Sequence, residues 1–183
     1  MDAQQIKHYT VEDFDRIVAL PENADRLLEF IGGEIVEVPS NLLSSKIASR
    51  INRYLGAHVD DNNLGHVTGE AGGYMVSGER YAPDVAFISK ERQPEVDDTI
   101  AYNLVPPDLA VEVISPNDPE KQITIKVTNY LRAGTVVWVV YPKTKEVAVY
   151  TPGQPPKVIT EGGILDGGTV LPGFTLPVKD IFR

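Results

Sequence analysis

The segment Leu109-Ala110-Val111-Glu112-Val113-Ile114 places one charged residue inside an otherwise apolar run. A short apolar run is typical of a strand that is buried on both faces at the centre of a sheet. Alternation then puts Glu112 on one face with Ala110 and Ile114, and their neighbours on the other face. Removing this charge from water costs free energy unless a partner or a proton offsets it. An edge strand would leave Glu112 in solvent, but its apolar neighbours favour the central position.

A second acidic residue, Asp84, follows Pro83 at the start of the apolar run 85–88. Aspartate is common at strand starts and turns, so this position alone carries little information. Together with a buried glutamate on another strand, it suggests two carboxylates that repel each other unless a cation lies between them. Carboxylate oxygens suit Mg²⁺ or Mn²⁺ better than zinc. We therefore predict that Asp84 and Glu112 are metal ligands, with the Val113 carbonyl as a candidate third ligand.

Lys126 lies on the predicted helix after the central strand, at the edge of its apolar stripe and about one turn before Tyr130. From there its ammonium can reach toward Glu112, where it would orient a water nucleophile or stabilise charge on a phosphate. The simpler alternative is a surface lysine with a snorkelling side chain. The prediction depends on the three residues together.

The chain before the central strand alternates helical and strand-like patterns. Thr10 and Asp13 form a capping pattern for a first helix, and Gly32-Gly33 is a hairpin signal. Ser40 is a candidate N-cap for a longer helix. The predicted elements, in order, are a helix over 11–20, strands over 26–31 and 34–38, a helix over 41–59, strands over 65–76 and 80–88, and a polar loop over 89–105.

The longer helix is expected to carry two stripes. Its inward-facing residues at helical spacing are Leu43, Ile47, Ile51, Tyr54 and Leu55. Beside them, Lys46, Arg50 and Arg53 fall at i, i+4 and i+7. The simpler interpretation of this basic stripe is a solvated face, and the functional one is a surface that faces phosphates.

The chain after the central strand predicts a helix over 119–133 that Gly134 ends, with Ile123, Val127, Tyr130 and Leu131 facing inward. Strands over 136–141 and 146–150 form a second hairpin. The tail from Thr151 is rich in Gly and Pro and is expected to wrap the surface, with 171–182 packing back. We predict one α/β (α+β) domain over residues 1–183, built on a mixed sheet flanked by helices.

Composition excludes several chemistries. The chain has 183 residues and no cysteine, so disulfides, thiolate metal sites and thiol nucleophiles are excluded. Its three histidines, His8, His58 and His66, are scattered, which disfavours a zinc site or a Ser/His/Asp triad. No apolar run approaches the roughly 18 residues of a membrane helix, and no signal pattern begins the chain. We therefore expect a cytoplasmic protein without membrane contact.

The formal net charge of −9 opposes nucleic-acid binding, because phosphate neutralisation needs a basic face. A local basic patch, or metal ions bound to carboxylates, would offset part of this repulsion.

Several segments form an ordered set along the chain: Leu28–Glu34, Pro83–Ile88, Pro107–Pro116, Lys126, Tyr130, Ala133-Gly134, Trp138, Pro142 and Leu171–Phe174. This set resembles the Uma2 (DUF820) family of the PD-(D/E)XK nuclease superfamily, from about residue 10 to 182. The resemblance implies a restriction-endonuclease-like fold, with Asp84 and Glu112 as metal ligands and Lys126 as the catalytic lysine.

In the superfamily's usual motif a lysine follows the glutamate by two positions, and here Ile114 stands there. The family pattern places the lysine on the next helix, where Lys126 lies. Two departures affect the surroundings of the site. Leu43-Ser44-Ser45 replaces a histidine often found near the start of the second helix, and Tyr141 replaces an acidic residue before the later proline. Glu29 and Glu70 are further acidic candidates.

The resemblance and the three residues together predict a Mg²⁺-dependent endodeoxyribonuclease, with Mn²⁺ as an alternative metal. A homodimer is expected, because cutting both strands of DNA calls for two sites. One alternative is a catalytically silent nuclease fold that acts as a binding or assembly module, which the acidic charge favours. Another is a hydrolase of a small phosphorylated substrate, which would require a narrow closed pocket instead of an open cleft with basic walls.

Overall fold

The computed structural model describes residues 8–38, 41–97, 99–116 and 118–183. Within these ranges the chain has a mixed α+β fold. Its helices are α1 (Val11–Val18), α2 (Leu42–Asp61), α3 (Glu120–Arg132) and α4 (Val178–Ile181). Its strands are β1 (Leu28–Ile31), β2 (Glu34–Glu37), β3 (Gly65–Gly69), β4 (Gly73–Val76), β5 (Glu79–Tyr81), β6 (Val85–Ser89), β7 (Tyr102–Asn103), β8 (Leu109–Val113), β9 (Val136–Tyr141), β10 (Glu146–Tyr150), β11 (Lys157–Ile159), β12 (Ile164–Asp166) and β13 (Thr175–Pro177).

The strand that contains Glu112 lies inside the larger sheet. In the described chain this sheet has the order β11-β10-β9-β8-β6-β3. β8 pairs with β9 in parallel and with β6 in antiparallel orientation. α3 makes the connection between β8 and β9, because parallel neighbours need a crossover. The predicted central strand is therefore confirmed.

The two faces of β8 pack against different layers. Leu109, Val111 and Val113 join the core under α2, α4 and the C-terminal tail. Ala110 joins the core formed with α3 and the second sheet, and Ile114 packs against that core. Strand alternation puts Glu112 on this second face, as predicted.

The second sheet has the order β2-β1-β5-β4-β7 in the described residues. The β1–β2 hairpin turns at Gly32 and Gly33, whose φ angles of 59° and 85° suit glycine. β1 also pairs with β5, so it has a neighbour on each side. This pairing brings Glu29 inside the molecule.

Two segments that were each predicted to form one strand form two strands. The run 65–76 forms β3 and β4, and the run 80–88 contains β5 and β6. In each case the first and second strands belong to different sheets. The first break is a turn in which the Gly72 N–H bonds the Gly69 carbonyl, and the second contains Pro83, which has no N–H to donate. Glu70 and Asp84 therefore lie where the chain crosses between sheets.

Helix α2 differs from its prediction at the N-terminal end. Asn41 caps it by accepting hydrogen bonds from the N–H groups of Leu43 and Ser44. The predicted cap, Ser40, lies outside the described residues. Leu43 is 54% exposed, so its assignment to the apolar stripe was wrong. The helix buries Ser44, Ile47, Ala48, Ile51, Leu55 and Val59.

The other predicted elements are close to the observed ones. The Thr10–Asp13 capping box, the β9–β10 hairpin and the helix that Gly134 ends are confirmed. The predicted loop 89–105 contains the short strand β7. The tail forms β11, β12, β13 and α4, and its Leu171, Phe174 and Ile181 are buried. Among the described helices, none is long and apolar enough to span a membrane.

Candidate active site

The two predicted metal ligands lie at one end of the β6–β8 pairing. Val85 pairs with Val111, and continuing this register by one step aligns Asp84 with Glu112. Both side chains line the same cavity, of about 370 Å³. The Val113 N–H donates to Asp84 Oδ2 at 2.6 Å. The β6–β8 pairing stops at Val85, so the Val113 N–H donates to the Asp84 side chain and not to a backbone carbonyl of β6.

Both oxygens of Glu112 have donors from α3. Lys126 Nζ lies 2.7 Å from Glu112 Oε2, and the Tyr130 hydroxyl donates to Glu112 Oε1 at 3.0 Å. The two residues are four positions apart on the helix, so both face β8. The Glu112 side chain is 12% exposed, which excludes the edge-strand alternative.

Lys126 is buried between two carboxylates. Its Nζ also lies 2.9 Å from Glu29 Oε1, and 5.6 Å from the centre of the Tyr81 ring. The Lys126 and Glu29 side chains are 10% and 7% exposed. The surface-lysine alternative is therefore wrong. These bonds use two of the three N–H groups of the ammonium, and the Lys126 side chain lines the cavity.

Glu29 joins Lys126 to the segment that carries Asp84. Its Oε1 accepts a hydrogen bond from the Ala82 N–H at 2.7 Å in addition to the bond from Lys126. The sequence alone left the role of Glu29 open. The available signal was a glutamate inside the apolar run of β1, the same pattern that marked Glu112.

Burial and mutual repulsion make this cluster a poor place for negative charge. Burial raises the pKa of Asp84 to about 6, although the Val113 N–H and Lys126 oppose the rise. Burial also raises the pKa of Glu112, and the carboxylates of Glu29 and Asp84 add to the rise against the opposing effect of Lys126. Burial alone would lower the pKa of Lys126, but Glu112 and Glu29 outweigh it and raise that pKa.

A second layer of polar contacts supports α3 behind the site, and sequence analysis did not predict it. Asn129 Nδ2 donates to the Tyr81 hydroxyl at 2.7 Å, and that hydroxyl donates to Glu79 Oε2. Glu79 Oε1 accepts from the Gly32 N–H at 2.7 Å. The Tyr81 and Tyr130 rings pack at 5.3 Å. These contacts fix the helix that carries Lys126 against β5 and the β1–β2 hairpin.

The remaining candidates differ in position. Glu70 is exposed at the β3–β4 turn, lines the cavity with Asp84, and its charge contributes to the raised pKa of Asp84. The observed bond from Val113 to Asp84 uses its N–H; the role of its carbonyl stays a prediction. Arg50 Nη1 donates to the Ile181 carbonyl at 3.1 Å, while Lys46 and Arg53 are exposed. In the described ranges, no group of three or more His, Asp and Glu side chains is arranged to hold a metal ion.

Comparisons with known proteins identify the family. A solved structure described as "a putative nuclease belonging to DUF820", from Anabaena variabilis ATCC 29413, matches with a TM-score of 0.82 and 23% sequence identity. The match covers 94% of this chain and 97% of that chain, and it shows a common fold. No curated protein matches. Residues 11–179 match the model of the Uma2 family, described as "Putative restriction endonuclease". The chain therefore belongs to the Uma2 family.

Proposed function

We propose that the protein is a metal-dependent endonuclease that hydrolyses phosphodiester bonds in DNA. The observation that carries this proposal is the meeting of Asp84, Glu112 and Lys126 in one cavity, from three separate elements, in a chain of the Uma2 family. A cavity with two carboxylates and one ammonium offers the groups that phosphoryl hydrolysis needs.

The residues present fit a divalent cation such as Mg²⁺. Mg²⁺ prefers oxygen ligands and keeps several bound waters. One or two carboxylates and a substrate phosphate are therefore enough to bind it. Asp84 and Glu112 supply two carboxylates whose raised pKa values reflect poorly compensated charge. When bound, the cation supplies positive charge that offsets these carboxylates and the charge that develops on the phosphate.

The protein's own groups have separate roles in this proposal. Asp84 and Glu112 hold the cation, and the Tyr130 hydroxyl and the Val113 N–H orient the two carboxylates. Lys126 keeps one N–H beyond its bonds to Glu29 and Glu112. That N–H orients the attacking water or a phosphate oxygen. Glu29 keeps Lys126 charged and in place.

The shape of the site favours DNA over a small phosphorylated substrate. A second cavity, also of about 370 Å³, shares Ser45, Glu70 and Asp84 with the first. Arg53 lines this second cavity, so the joined cleft has a cationic side chain beyond the carboxylates. A homodimer would place two such clefts on duplex DNA, and its mass in solution tests that part of the proposal.

The test is cleavage of supercoiled plasmid DNA with Mg²⁺, Mn²⁺ or EDTA. We expect nicking with either metal, none in EDTA, and its loss in Asp84→Ala and Glu112→Gln. Glu95→Gln is the matched control, because Glu95 is an exposed acid that does not line the cavity. Full nicking by the two site variants would show that this mechanism is wrong. A wild-type protein that binds DNA but never cuts it would favour the catalytically silent alternative.

A further inference from the structure

A polar groove lies along helix α2 beside the candidate site. It has a volume of about 370 Å³, and Ser45, Glu70 and Asp84 line both the groove and the site cavity. The site therefore opens directly into this groove. One wall consists of residues of α2, and the opposite side contains Gly69 and Glu70 at the end of β3.

The helix wall presents hydrogen-bond donors in a row. Ser45, Ser49 and Asn52 fall at i, i+4 and i+7, which places them on one face of α2, and Arg53 continues the row. Within the described part of the chain, no hydrogen bond or ion pair occupies these four side chains. Arg53 contacts the Tyr54 ring at 4.8 Å, which leaves its N–H groups free to bind an anion.

The two arginines of the predicted basic stripe, Arg50 and Arg53, have different surroundings. Arg50 binds carbonyl groups of the C-terminal segment, including that of Ile181. Arg53 instead stands in the groove wall, in a protein with a net charge of −9. The acids Glu70 and Asp84 lie at the junction with the site, where the cation of the proposed function would offset them. Charge along the groove thus changes from negative at the junction to positive at Arg53.

The dimensions and lining of the groove match a sugar–phosphate backbone. From Ser45 to Arg53 the helix rises about 12 Å at ~1.5 Å per residue, comparable with about three nucleotides at ~3.4 Å each. The described residues that line the groove include no aromatic ring, so it lacks the platforms on which bases stack. Hydroxyl, amide and guanidinium donors are instead the groups that bind phosphate oxygens. Gly69 lies directly opposite Asn52, since a Cβ built on Gly69 would lie 3.4 Å from Asn52 Nδ2.

We propose that the α2 groove binds the backbone of the DNA strand that is cut, with Asn52 and Arg53 on a phosphate about three nucleotides from the scissile one. This inference rests on the proposed function and deepens it, because it assigns the path by which the strand leaves the site. Ser45 and Ser49 would contact the backbone between the two phosphates.

The first test measures cleavage and binding of a short DNA duplex by Arg53→Ala and Asn52→Ala. Single-turnover cleavage in Mg²⁺ gives the protein concentration for half-maximal rate, and fluorescence anisotropy without metal gives the dissociation constant. We expect both to rise about 10-fold for Arg53→Ala. The slope of log affinity against log salt should also fall by about 1. Arg132→Ala is the control, because Arg132 is also exposed but lies on α3, outside the groove lining.

The second test changes the DNA. Each phosphate near the mapped cleavage position is replaced in turn by a neutral methylphosphonate. If Arg53 contacts one of these phosphates, neutralising that phosphate weakens DNA binding by the wild-type protein. With the same DNA, Arg53→Ala then causes no further loss of affinity. A penalty that stays the same for every replaced phosphate overturns the inference, as does an Arg53→Ala variant that behaves like Arg132→Ala.

These outcomes separate the groove from the chemistry. Cleavage that is intact but insensitive to Arg53 and Asn52 overturns the groove and leaves the nuclease proposal standing. Binding that depends on Arg53 without any metal-dependent cleavage supports the groove and overturns the nuclease proposal. Absence of both binding and cleavage overturns both.

Discussion

Replacing Asp84 by asparagine should stabilise the metal-free protein at neutral and alkaline pH. Burial raises the pKa of this carboxyl from 3.8 to about 6, so the folded protein resists its ionisation. A rise of about two pH units corresponds to about 3 kcal/mol at 1.36 kcal/mol per unit. Asparagine carries no charge, and its side-chain oxygen can still accept the hydrogen bond from the Val113 N–H. The gain for Asp84→Asn at pH 8 is therefore about 3 kcal/mol as an upper bound.

The sign of this effect depends on pH. Because the folded-state pKa is raised, the Asp84 proton stabilises the folded state fully below about pH 4, and this stability is lost as pH rises through about 6. The advantage of Asp84→Asn should thus be absent at pH 4 and complete above pH 7. Glu112 adds to it, since the Asp84 charge also raises the pKa of Glu112.

Urea unfolding in EDTA at pH 4.5, 6 and 8 measures this difference. Asp97→Asn is the control, because Asp97 is exposed and hydrogen bonds from Thr99 lower its pKa. That variant should show no gain at pH 8. An Asp84→Asn protein that is equally or less stable than wild type at pH 8 would refute the claim that burial dominates the energetics of this carboxyl.

Three further variants test the neighbours of Glu112. Lys126→Met should cost about 3–5 kcal/mol at pH 8, because it leaves Glu29 and Glu112 without a counter-charge, and less at pH 5; equal losses in urea unfolding at the two pH values would contradict this. Tyr130→Phe removes one donor from Glu112 and should cost about 1 kcal/mol in the same assay, while an unchanged midpoint would show that the bond contributes nothing. Glu29→Gln retains an acceptor for the Ala82 N–H but removes the negative charge beside Lys126. Plasmid nicking should therefore slow about 10- to 100-fold while the fold stays intact. Nicking at the wild-type rate would exclude a positioning role for Glu29.

The fold was predictable where local pattern and burial agree. The apolar run around Glu112 has the composition of a central strand, and Gly32-Gly33 between two strand-like runs favours a tight turn, so both elements were predicted correctly. The predictions of single strands over 65–76 and 80–88 were wrong because they passed over local break signals, the glycines at 69, 72 and 73 and Pro83. Which sheet a strand joins depends on partners distant in the chain, and no local pattern reports it.

The same distinction applies to the site. Glu112 was unusual for its local surroundings, whereas Asp84 and Lys126 carried information only in combination with it, and the fold brings all three to one cavity. The apolar neighbours of Glu29 were only a weak signal of burial, since a four-residue strand beside a hairpin turn is equally compatible with a sheet edge. The burial of Glu29 follows from the pairing of β1 with β5. The support from Tyr81 and Asn129 likewise depends on the packing of α3 against the second sheet.

The charge balance of the cluster is consistent with the proposed cation site. One buried ammonium needs one carboxylate, yet Lys126 lies among Glu29, Glu112 and Asp84. Burial, with added repulsion from the neighbouring carboxylates, raises the pKa of Glu112 and of Asp84. A bound divalent ion would remove this cost, so Mg²⁺ should stabilise the wild-type protein at pH 8, by about 2.7 kcal/mol at 100 times the dissociation constant. Asp84→Asn should lose most of this gain, although it is the more stable protein in EDTA. If Mg²⁺ stabilises both proteins equally, the ion binds elsewhere, and the surplus carboxylates need another explanation.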